Sequence, residues 1–418
     1  MRTSIVNLLG LNEDLNFKKI IKVVIFYGLP FFLLLFFIIL GFSDEGPQQF
    51  SLLSQGFLNG HLYFNHDIGG IGQDPVLYKG HVYWDEGPFP AIVLLPFVAL
   101  FNIFHILFLQ GYLKWLIVIG IIYFIYKLAR NFNYDVKDSI FMTIMFCLGT
   151  VFIGVNSVSS SWLFAQVVNT FLLFAFLYEF FSKKRYFLLG SLAAAIFLTR
   201  MSALPIVILP IIDMLVRKNN FKSILRNTAI LVIPLLISLV MALSYNYLRF
   251  GNALQNGNKY QLISDYSNDA RKMGIISISH IPTNLYTLLL RGPDEILRDS
   301  VGWSLGFPYI QNNELGMSIF ITSPFMLYFF FVKFKKYPFE AKLLLIPSAI
   351  SAILVLLYYG DGGYQMGYRY SLDFLPELFV AFMLIYRTKN TKVTIAMKSL
   401  VLITILTNTY FVYGFLTY

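Results

Sequence analysis

Residues 43–50 read SDEGPQQF and end the first long apolar run of the chain, which covers residues 20–42. A similar sequence returns at residues 84–90, which read WDEGPFP. Between them lie Gly, Asn, Asp, His and Tyr residues in an otherwise apolar chain. A polar loop beside a membrane is usually a connector. One that carries two acidic pairs, several histidines and several aromatics is a candidate functional site.

The composition is that of a membrane protein. The chain of 418 residues is 57% hydrophobic and 13% charged, whereas soluble domains carry about 25% charged residues. Many apolar runs reach or approach the roughly 20 residues that span a bilayer. The sequence therefore predicts an all-α polytopic membrane protein with about 11 transmembrane helices. They are expected near 20–42, 112–129, 139–156, 162–181, 186–199, 203–216, 228–248, 315–332, 341–359, 373–387 and 396–415.

The apolar stretch 89–109 decides the predicted topology. If it lies in the membrane interface, the short loops that face the cytoplasm hold 22 of the 32 Lys and Arg residues. If it spans, most of these charges face outward, so the positive-inside rule favours the interfacial alternative. We expect a cell-membrane protein with a cytoplasmic N-terminus. Residues 1–418 would form one membrane domain with outer loops of about 43–111 and 249–314.

Charge and motifs narrow the function classes. The net charge of +10 is accounted for by the predicted cytoplasmic loops, so it does not indicate nucleic-acid binding. Cys147 is the one cysteine, which excludes an intrachain disulfide. No Walker, dinucleotide-binding, HExxH or GxSxG motif is present. His61, His66 and Asp67 match no strong metal-ligand spacing, so a divalent metal is compatible with the sequence but not supported by it.

Both acidic pairs lie beside predicted membrane helices. Asp44 and Glu45 directly follow the first helix, where a carboxylate in a partly dry place can act as a general base. The alternative is a solvated pair that marks a helix end. Asp85 and Glu86 precede a Pro-rich helix start, where they could equally serve as helix N-terminal acids.

Two arginines interrupt apolar sequence on the predicted outer side. Arg200 lies between two short apolar helices, where a charge is costly and points to function. Arg369 lies in a Gly- and Tyr-rich stretch beside Tyr368. A guanidinium fork suits a phosphate, and tyrosines can stack on sugar rings. The alternatives are snorkelling of Arg200 to the lipid headgroups and a structural turn at Arg369.

With these residues in place, the chain resembles bacterial and archaeal glycosyltransferases of the GT-C superfamily, the class of the protein O-mannosyltransferases and aminoarabinose transferases. The resemblance runs along most of the chain, and its six motifs occur in the same order. They are Asp44-Glu45 after helix one, Glu86–Phe97 as a Pro-rich juxtamembrane helix, Tyr126–Arg130, Leu198–Arg200, Tyr245–Gly251 and Gly367–Tyr370. One departure is the Ser-rich turn 157–162, which lacks the acidic residue that relatives often carry there.

The resemblance implies a GT-C-like bundle and an inverting sugar transfer outside the cytoplasm. The donor would be a polyprenyl-phosphate sugar in the lipid bilayer, and the acceptor an unidentified hydroxyl. Asp44 is then the expected catalytic base. The residues expected to contact substrate are Glu45, Asp85, Glu86, Arg200, Tyr368 and Arg369.

Two other function classes fit parts of the sequence. A transporter or flippase of lipid-linked sugars would share the helices and the basic residues, but such proteins often show two related halves, which this sequence lacks. A non-catalytic membrane scaffold would have no need of Asp44. A transfer assay with a labelled lipid-linked sugar distinguishes all three.

Overall fold

The computed structural model describes residues 17–43, 46–64, 74–217, 220–263, 265–298, 302, 304–360 and 362–417. Almost all of the regular structure is helical, which confirms the prediction of an all-α membrane protein. Within the described ranges, six helices are long and apolar enough to cross a membrane. The larger count of about 11 spans stays a prediction, because several apolar helices are shorter than the roughly 20 residues that a span needs.

The first part of the chain supplies two long helices and the loop between them. Helix α1 combines Phe17–Val23, a π-helical turn Val24–Gly28, and Leu29–Ser43. After it come α2 (Gln49–Leu58), the strands β1 (Val76–Tyr78) and β2 (His81–Tyr83), α3 (Phe89–Asn102) and α4 (Gln110–Asn131).

The hairpin β1–β2 was not expected from the sequence. It is antiparallel and pairs Tyr78 with His81 across the turn. Lys79 and Gly80 both have positive φ, of 49° and 80°, as a two-residue hairpin turn requires. Strand β2 ends at Tyr83, directly before Trp84 and the second acidic pair.

Helix α3 covers only part of the stretch that decides the topology. Its 14 residues rise about 21 Å, which is short of the roughly 30 Å of a hydrocarbon core. It begins at a Pro-rich sequence, since proline suits the first turn of a helix, and it packs against α2.

The middle of the chain forms the core of the bundle. The helices are α5 (Val136–Leu148), α6 (Phe152–Ser157), α7 (Ser161–Phe181), α8 (Tyr186–Phe197), a 3₁₀ segment Met201–Val207 with α9 (Ile208–Val216), and α10 (Phe221–Phe250). Most of α7 is buried, whereas α1 and α10 are largely exposed on their apolar faces. The predicted helix 139–156 is interrupted after Leu148, where a Cβ on Gly149 would lie 2.6 Å from the Met145 carbonyl oxygen.

The last part begins with a polar segment. It contains a 3₁₀ turn Asn258–Tyr260, α11 (Asp265–Lys272), a 3₁₀ turn Ile278–His280 with α12 (Ile281–Leu289), and the antiparallel strands β3 (Asp294–Leu297) and β4 (Leu305–Gln311). Gly251 ends α10 with φ 69°, a left-handed conformation that glycine adopts at helix ends.

Four apolar elements close the chain. They are α13 (Ile319–Thr322) with a 3₁₀ segment Pro324–Phe331, α14 (Phe339–Leu356), a 3₁₀ segment Arg369–Asp373 with α15 (Leu375–Lys389), and α16 (Ile395–Thr417). The expectation of one helix over 315–332 is wrong. Residues 315–318 precede α13, and the helix breaks at Ser323, before Pro324, which has no N–H to continue it.

The bundle has two ends that differ in charge. We call one the basic end, because Lys184, Arg217 and Lys398 form ion pairs there with Asp213, Glu340 and Asp138. We call the other the site end. It gathers the start of α3, the ends of α8, α10 and α14, and the 3₁₀ segment Arg369–Asp373.

Candidate functional site

The second acidic pair is positioned by its buried neighbour Trp84. The Trp84 ring packs against Phe50 and Trp162, with ring centroids 5.9 and 5.6 Å apart. Arg249, at the end of α10, donates from Nη1 to the Trp84 carbonyl at 2.7 Å. The backbone is therefore held on both sides just before Asp85.

The start of α3 is fastened to the end of α8. The Phe89 N–H donates to the Leu198 carbonyl at 3.2 Å. A Cβ on Gly87 would lie 2.0 Å from the same oxygen, so only glycine allows the two backbones to approach this closely. The contact brings Glu86 near Arg200, which follows Leu198 by two residues and interacts electrostatically with the Glu86 carboxylate.

Arg200 forms a buried bidentate ion pair. Its Nε and Nη2 donate to Asp373 Oδ1 and Oδ2 at 2.7 and 2.9 Å. Ser202 Oγ donates to Oδ2 at 2.5 Å, and Asn169 Nδ2 donates to Oδ1 at 3.2 Å. Asp373 is fully buried, and four donors compensate its charge. The pair fastens the 3₁₀ segment that carries Arg369 to the end of α8.

Arg369 is also buried, and its contacts within the described ranges differ from those of Arg200. Its Nη2 donates to the Gly362 carbonyl at 2.6 Å, and its Nε has no hydrogen-bond partner among the described residues. No carboxylate within the described ranges forms an ion pair with it. The guanidinium lies 5.2 Å from the centre of the Tyr370 ring. Its positive charge also acts on Asp74 and Glu86, since it lowers the pKa of both carboxyls.

Asp85 and Glu86 each have one buried oxygen without a hydrogen-bond partner among the described residues. Asp85 Oδ2 accepts from Gln261 Nε2 at 2.7 Å. Asp85 Oδ1 and Glu86 Oε2 are buried and have no partner among the described residues. A buried acceptor of this kind costs free energy unless a ligand or water satisfies it.

Burial sets the protonation of the pair. It raises the pKa of Asp85 to about 7, and the nearby Asp74 raises it in the same direction. Burial raises the pKa of Glu86 to about 8, while the positive charge of Arg200 acts in the opposite direction. Asp74, also at the site end, has its pKa raised by burial and lowered by Arg369 and Arg271. Burial therefore brings the pKa of both Asp85 and Glu86 close to neutral pH.

Tyrosines surround the charged groups. Tyr370 lies close to both arginines, because the Arg200 guanidinium is also 5.1 Å from its ring centre. Tyr358 and Tyr359 follow the end of α14, and their ring centres lie 4.7 Å apart. Tyr368 is buried, with 1% of its surface exposed, and its ring centre lies 6.0 Å from that of Tyr370. Its expected contact with substrate stays a prediction.

Four of the residues chosen from the sequence come together. Asp85, Glu86, Arg200 and Arg369 belong to one electrostatic cluster at the site end. Asp44 and Glu45 lie outside the described residues, so their choice as catalytic base and substrate contact stays a prediction.

The suggested metal ligands are not brought together by the described structure. His61 stacks on Tyr63 at 4.6 Å, and His66 and Asp67 lie outside the described residues. Within the described ranges, no group of three His, Cys, Asp or Glu side chains could hold a metal ion.

Several residues at the site end were missed by sequence reasoning. Asp373 lies four residues after Arg369, at the start of an apolar run. A carboxylate that is buried there needs a positively charged partner, which the structure shows to be Arg200. Arg249 belongs to a recognised motif but was not chosen. Lys114 was the clearest signal, since it is a lysine near the start of the apolar helix α4, more than ten residues from the basic residues at the other end of that helix. It is buried beside Gly41 and donates to the Asn156 and Val158 carbonyls, both at 2.8 Å.

Comparisons with known proteins leave these residues to be judged on their own geometry. No protein-family model and no curated protein sequence matches the chain. Two solved structures are similar to it: the Archaeoglobus fulgidus oligosaccharyltransferase in the apo form, and the archaeal oligosaccharyltransferase AglB from Archaeoglobus fulgidus in complex with an inhibitory peptide and a dolichol-phosphate. Each shares 13% identity with this chain, with TM-scores of 0.43 and 0.41. The matches cover 92% of this chain and 55% of the other, so the chain spans about half the length of these relatives.

Proposed function

We propose that the protein is a membrane glycosyltransferase. It moves a sugar from a polyprenyl-phosphate donor to an acceptor hydroxyl, with inversion at the anomeric carbon. The observation that carries the proposal is the cluster at the site end, where Arg369 forms no ion pair with a described carboxylate and lies near Glu86, which in turn neighbours Asp85. A phosphate-linked sugar needs both an arginine for its phosphate and acceptors for its hydroxyls.

We assign different roles to the two arginines because only Arg200 forms an ion pair with a described carboxylate. Arg369 binds the donor phosphate and offsets the charge that grows on it as the sugar departs. Arg200 is committed to Asp373, so it supports the phosphate site by holding the segment that carries Arg369. Asp85 and Glu86 bind hydroxyl groups through their open oxygens.

The catalytic base is assigned from the resemblance. Asp44 takes the acceptor proton as the acceptor oxygen attacks the anomeric carbon, and the lipid phosphate leaves with the bonding electrons. Base catalysis of this kind contributes about 10²–10⁴-fold. Glu45 is proposed to contact substrate without taking that proton.

The proposed orientation places the site end outside the cytoplasm. The support is the distribution of basic residues, since Lys184, Arg185, Arg217 and Lys398 all lie at the opposite end of the bundle. A flippase or transporter of the same lipid would also need a phosphate site. It would release the lipid-linked sugar intact on the other side of the membrane.

The deciding experiment is a transfer assay in vesicles with a radiolabelled polyprenyl-phosphate sugar. A transferase moves the labelled sugar from the lipid to an acceptor. Asp44→Asn should lower the rate of this transfer by roughly 10²-fold or more. Glu45→Gln is the matched neighbour and is expected to cost less. Label that stays on the lipid but changes leaflet would favour the flippase, and no change of either kind would favour a scaffold.

A further inference from the structure

The strand-like residue Gln261 reaches Asp85 from the polar segment that follows α10. It pairs with Val76 of β1, and the next residue donates from its N–H to the Pro75 carbonyl at 2.8 Å. These backbone contacts place the Gln261 side chain against the acidic pair. Its Nε2 then donates to Asp85 Oδ2 at 2.7 Å.

Arg271, near the end of α11, fixes the orientation of the Gln261 amide. Its Nη2 donates to Gln261 Oε1 and, at 2.8 Å, to the Tyr359 hydroxyl. Its Nη1 donates to the Asn258 carbonyl at 2.9 Å, and its guanidinium lies 4.7 Å from the centre of the Tyr359 ring. Arginine has only donors, so the acceptor end of the amide must face it. The donor end must therefore face Asp85.

The fixed orientation of the Gln261 amide distinguishes the two carboxylate oxygens of Asp85. Oδ2 accepts from an amide that cannot turn over, so a proton or a ligand hydrogen bond belongs at Oδ1. Oδ1 is buried and has no partner among the described residues. The chain of hydrogen bonds thus determines which oxygen of Asp85 remains for a ligand.

We propose that Gln261 and Arg271 are positioning residues that hold Asp85 so that its Oδ1 accepts a hydrogen bond from a hydroxyl of the transferred sugar. The inference rests on the proposed function and specifies the substrate group that Asp85 recognises. The polar segment after α10 therefore contributes to sugar binding although neither residue needs to touch the sugar.

The test combines kinetics with a chemical readout that needs no activity. Gln261→Leu removes the amide donor, and Arg271→Gln removes the group that orients it. Each is expected to raise KM for a labelled lipid-linked sugar about 10- to 100-fold, with kcat changed little, because a hydrogen bond to a charged group is lost. Lys272→Gln is the matched control, since this neighbouring side chain is exposed and pairs with Asp269.

The chemical readout is carbodiimide labelling of Asp85 across a pH series, with Glu86 as the internal reference. Loss of the Gln261 donor should move the labelling midpoint of Asp85 to higher pH, because that donor favours the charged carboxylate. Gln261→Glu is a second variant of similar size and should move it in the same direction. The other titratable or charged groups that face Asp85 are Asp74, Glu86, Arg249, Arg271, Tyr358 and Tyr359.

The outcomes separate this inference from the function on which it rests. An active wild type with unchanged KM and unchanged Asp85 labelling in Gln261→Leu overturns the inference alone. In the Asp85→Asn background, Gln261→Leu should add no further rise in KM, and an undiminished rise also overturns it. A wild type that transfers no sugar, together with a shifted Asp85 midpoint, overturns the transferase proposal and the sugar as ligand.

Discussion

Arg200 and Arg369 lie at similar distances from the Tyr370 ring, 5.1 and 5.2 Å, yet their surroundings differ. Arg200 makes two hydrogen bonds to the fully buried Asp373, and Ser202 and Asn169 each donate one more hydrogen bond to that carboxylate. Arg369 bonds through its side chain to the Gly362 carbonyl and keeps a buried Nε without a partner among the described residues. An arginine whose charge is already matched holds the protein together. Arg369 has no such hydrogen-bonded carboxylate among the described residues, although its charge lowers the pKa of Asp74 and of Glu86.

The basic end shows the same distinction on a larger scale. Asp213 there accepts from both Lys184 and Arg217 at 2.6 Å, and Glu179 is held by Arg185 at 2.7 Å. The basic side chains of these pairs are partly exposed, and each carboxylate has a basic partner. The open acceptors of Asp85 and Glu86 have no counterpart among these pairs, which favours the site end as the place of chemistry.

The largest expected effect is on the Arg200 pair. Arg200→Gln leaves the buried Asp373 charge without its main partner and should destabilise the protein by about 3–5 kcal/mol. The double variant Arg200→Gln with Asp373→Asn removes both charges and should regain much of this loss. Thermal unfolding in mild detergent measures both. Equal melting temperatures for wild type and Arg200→Gln would show that the pair is not structural.

Arg369→Gln should give the opposite pattern. The melting temperature should stay near that of the wild type, because no ion pair to a described carboxylate is broken. Affinity for the lipid-phosphate donor should fall about 10- to 100-fold, as expected for one charge-assisted hydrogen bond. Arg291→Gln is a suitable control, since that side chain contacts the Leu315 carbonyl at 3.3 Å and the Tyr286 ring. Unweakened donor binding in Arg369→Gln would remove the distinction between the two arginines.

A smaller effect is expected in the pH dependence of stability. Burial raises the pKa of Glu86 from 4.5 to about 8. Between these values the folded protein holds a proton that the unfolded chain has released, so Glu86 makes stability fall as pH rises through this window. Glu86→Gln should reduce the loss of melting temperature between about pH 6 and about pH 9. The exposed Glu295→Gln is the control, and a slope identical to wild type in Glu86→Gln would contradict the prediction.

The smallest effect should come from the basic end. Arg185 is 58% exposed, and its backbone N–H also donates to Glu179 at 2.8 Å. Arg185→Gln should therefore cost about 1 kcal/mol or less and leave sugar transfer unchanged. A transfer rate that drops as far as in Arg369→Gln would mean that the two ends are not functionally distinct.

Much of the fold follows from the sequence because apolar runs are local signals. The helices around 112–129, 162–181 and 396–415 appear close to their predicted bounds. Breaks inside apolar runs, such as the one at Ser323, depend on single residues that hydropathy averages away. The hairpin β1–β2 was missed for a similar reason, since three-residue strands carry little periodic signal.

The candidate site was predictable only in part. Charged residues stand at the edges of apolar runs at Asp85, Glu86, Arg200 and Arg369. A charge beside the membrane is energetically costly, so its presence in the sequence indicates a function. Their partners are not local. Asp373 meets Arg200 across 173 positions, and Gln261 meets Asp85 across 176. One sequence does not report such tertiary pairings, so the satisfied and unsatisfied arginines could not be told apart beforehand.

The contact between Gly87 and Leu198 has a consequence for engineering. Two backbones touch there, with a would-be Cβ only 2.0 Å from a carbonyl oxygen. Main-chain atoms next to Glu86 and Arg200 therefore hold the start of α3 against the end of α8. A library that randomises Asp85, Glu86 and Tyr370 while retaining Gly87 would keep this backbone contact. Under the proposed function, it is a way to alter sugar preference without redesigning the helices.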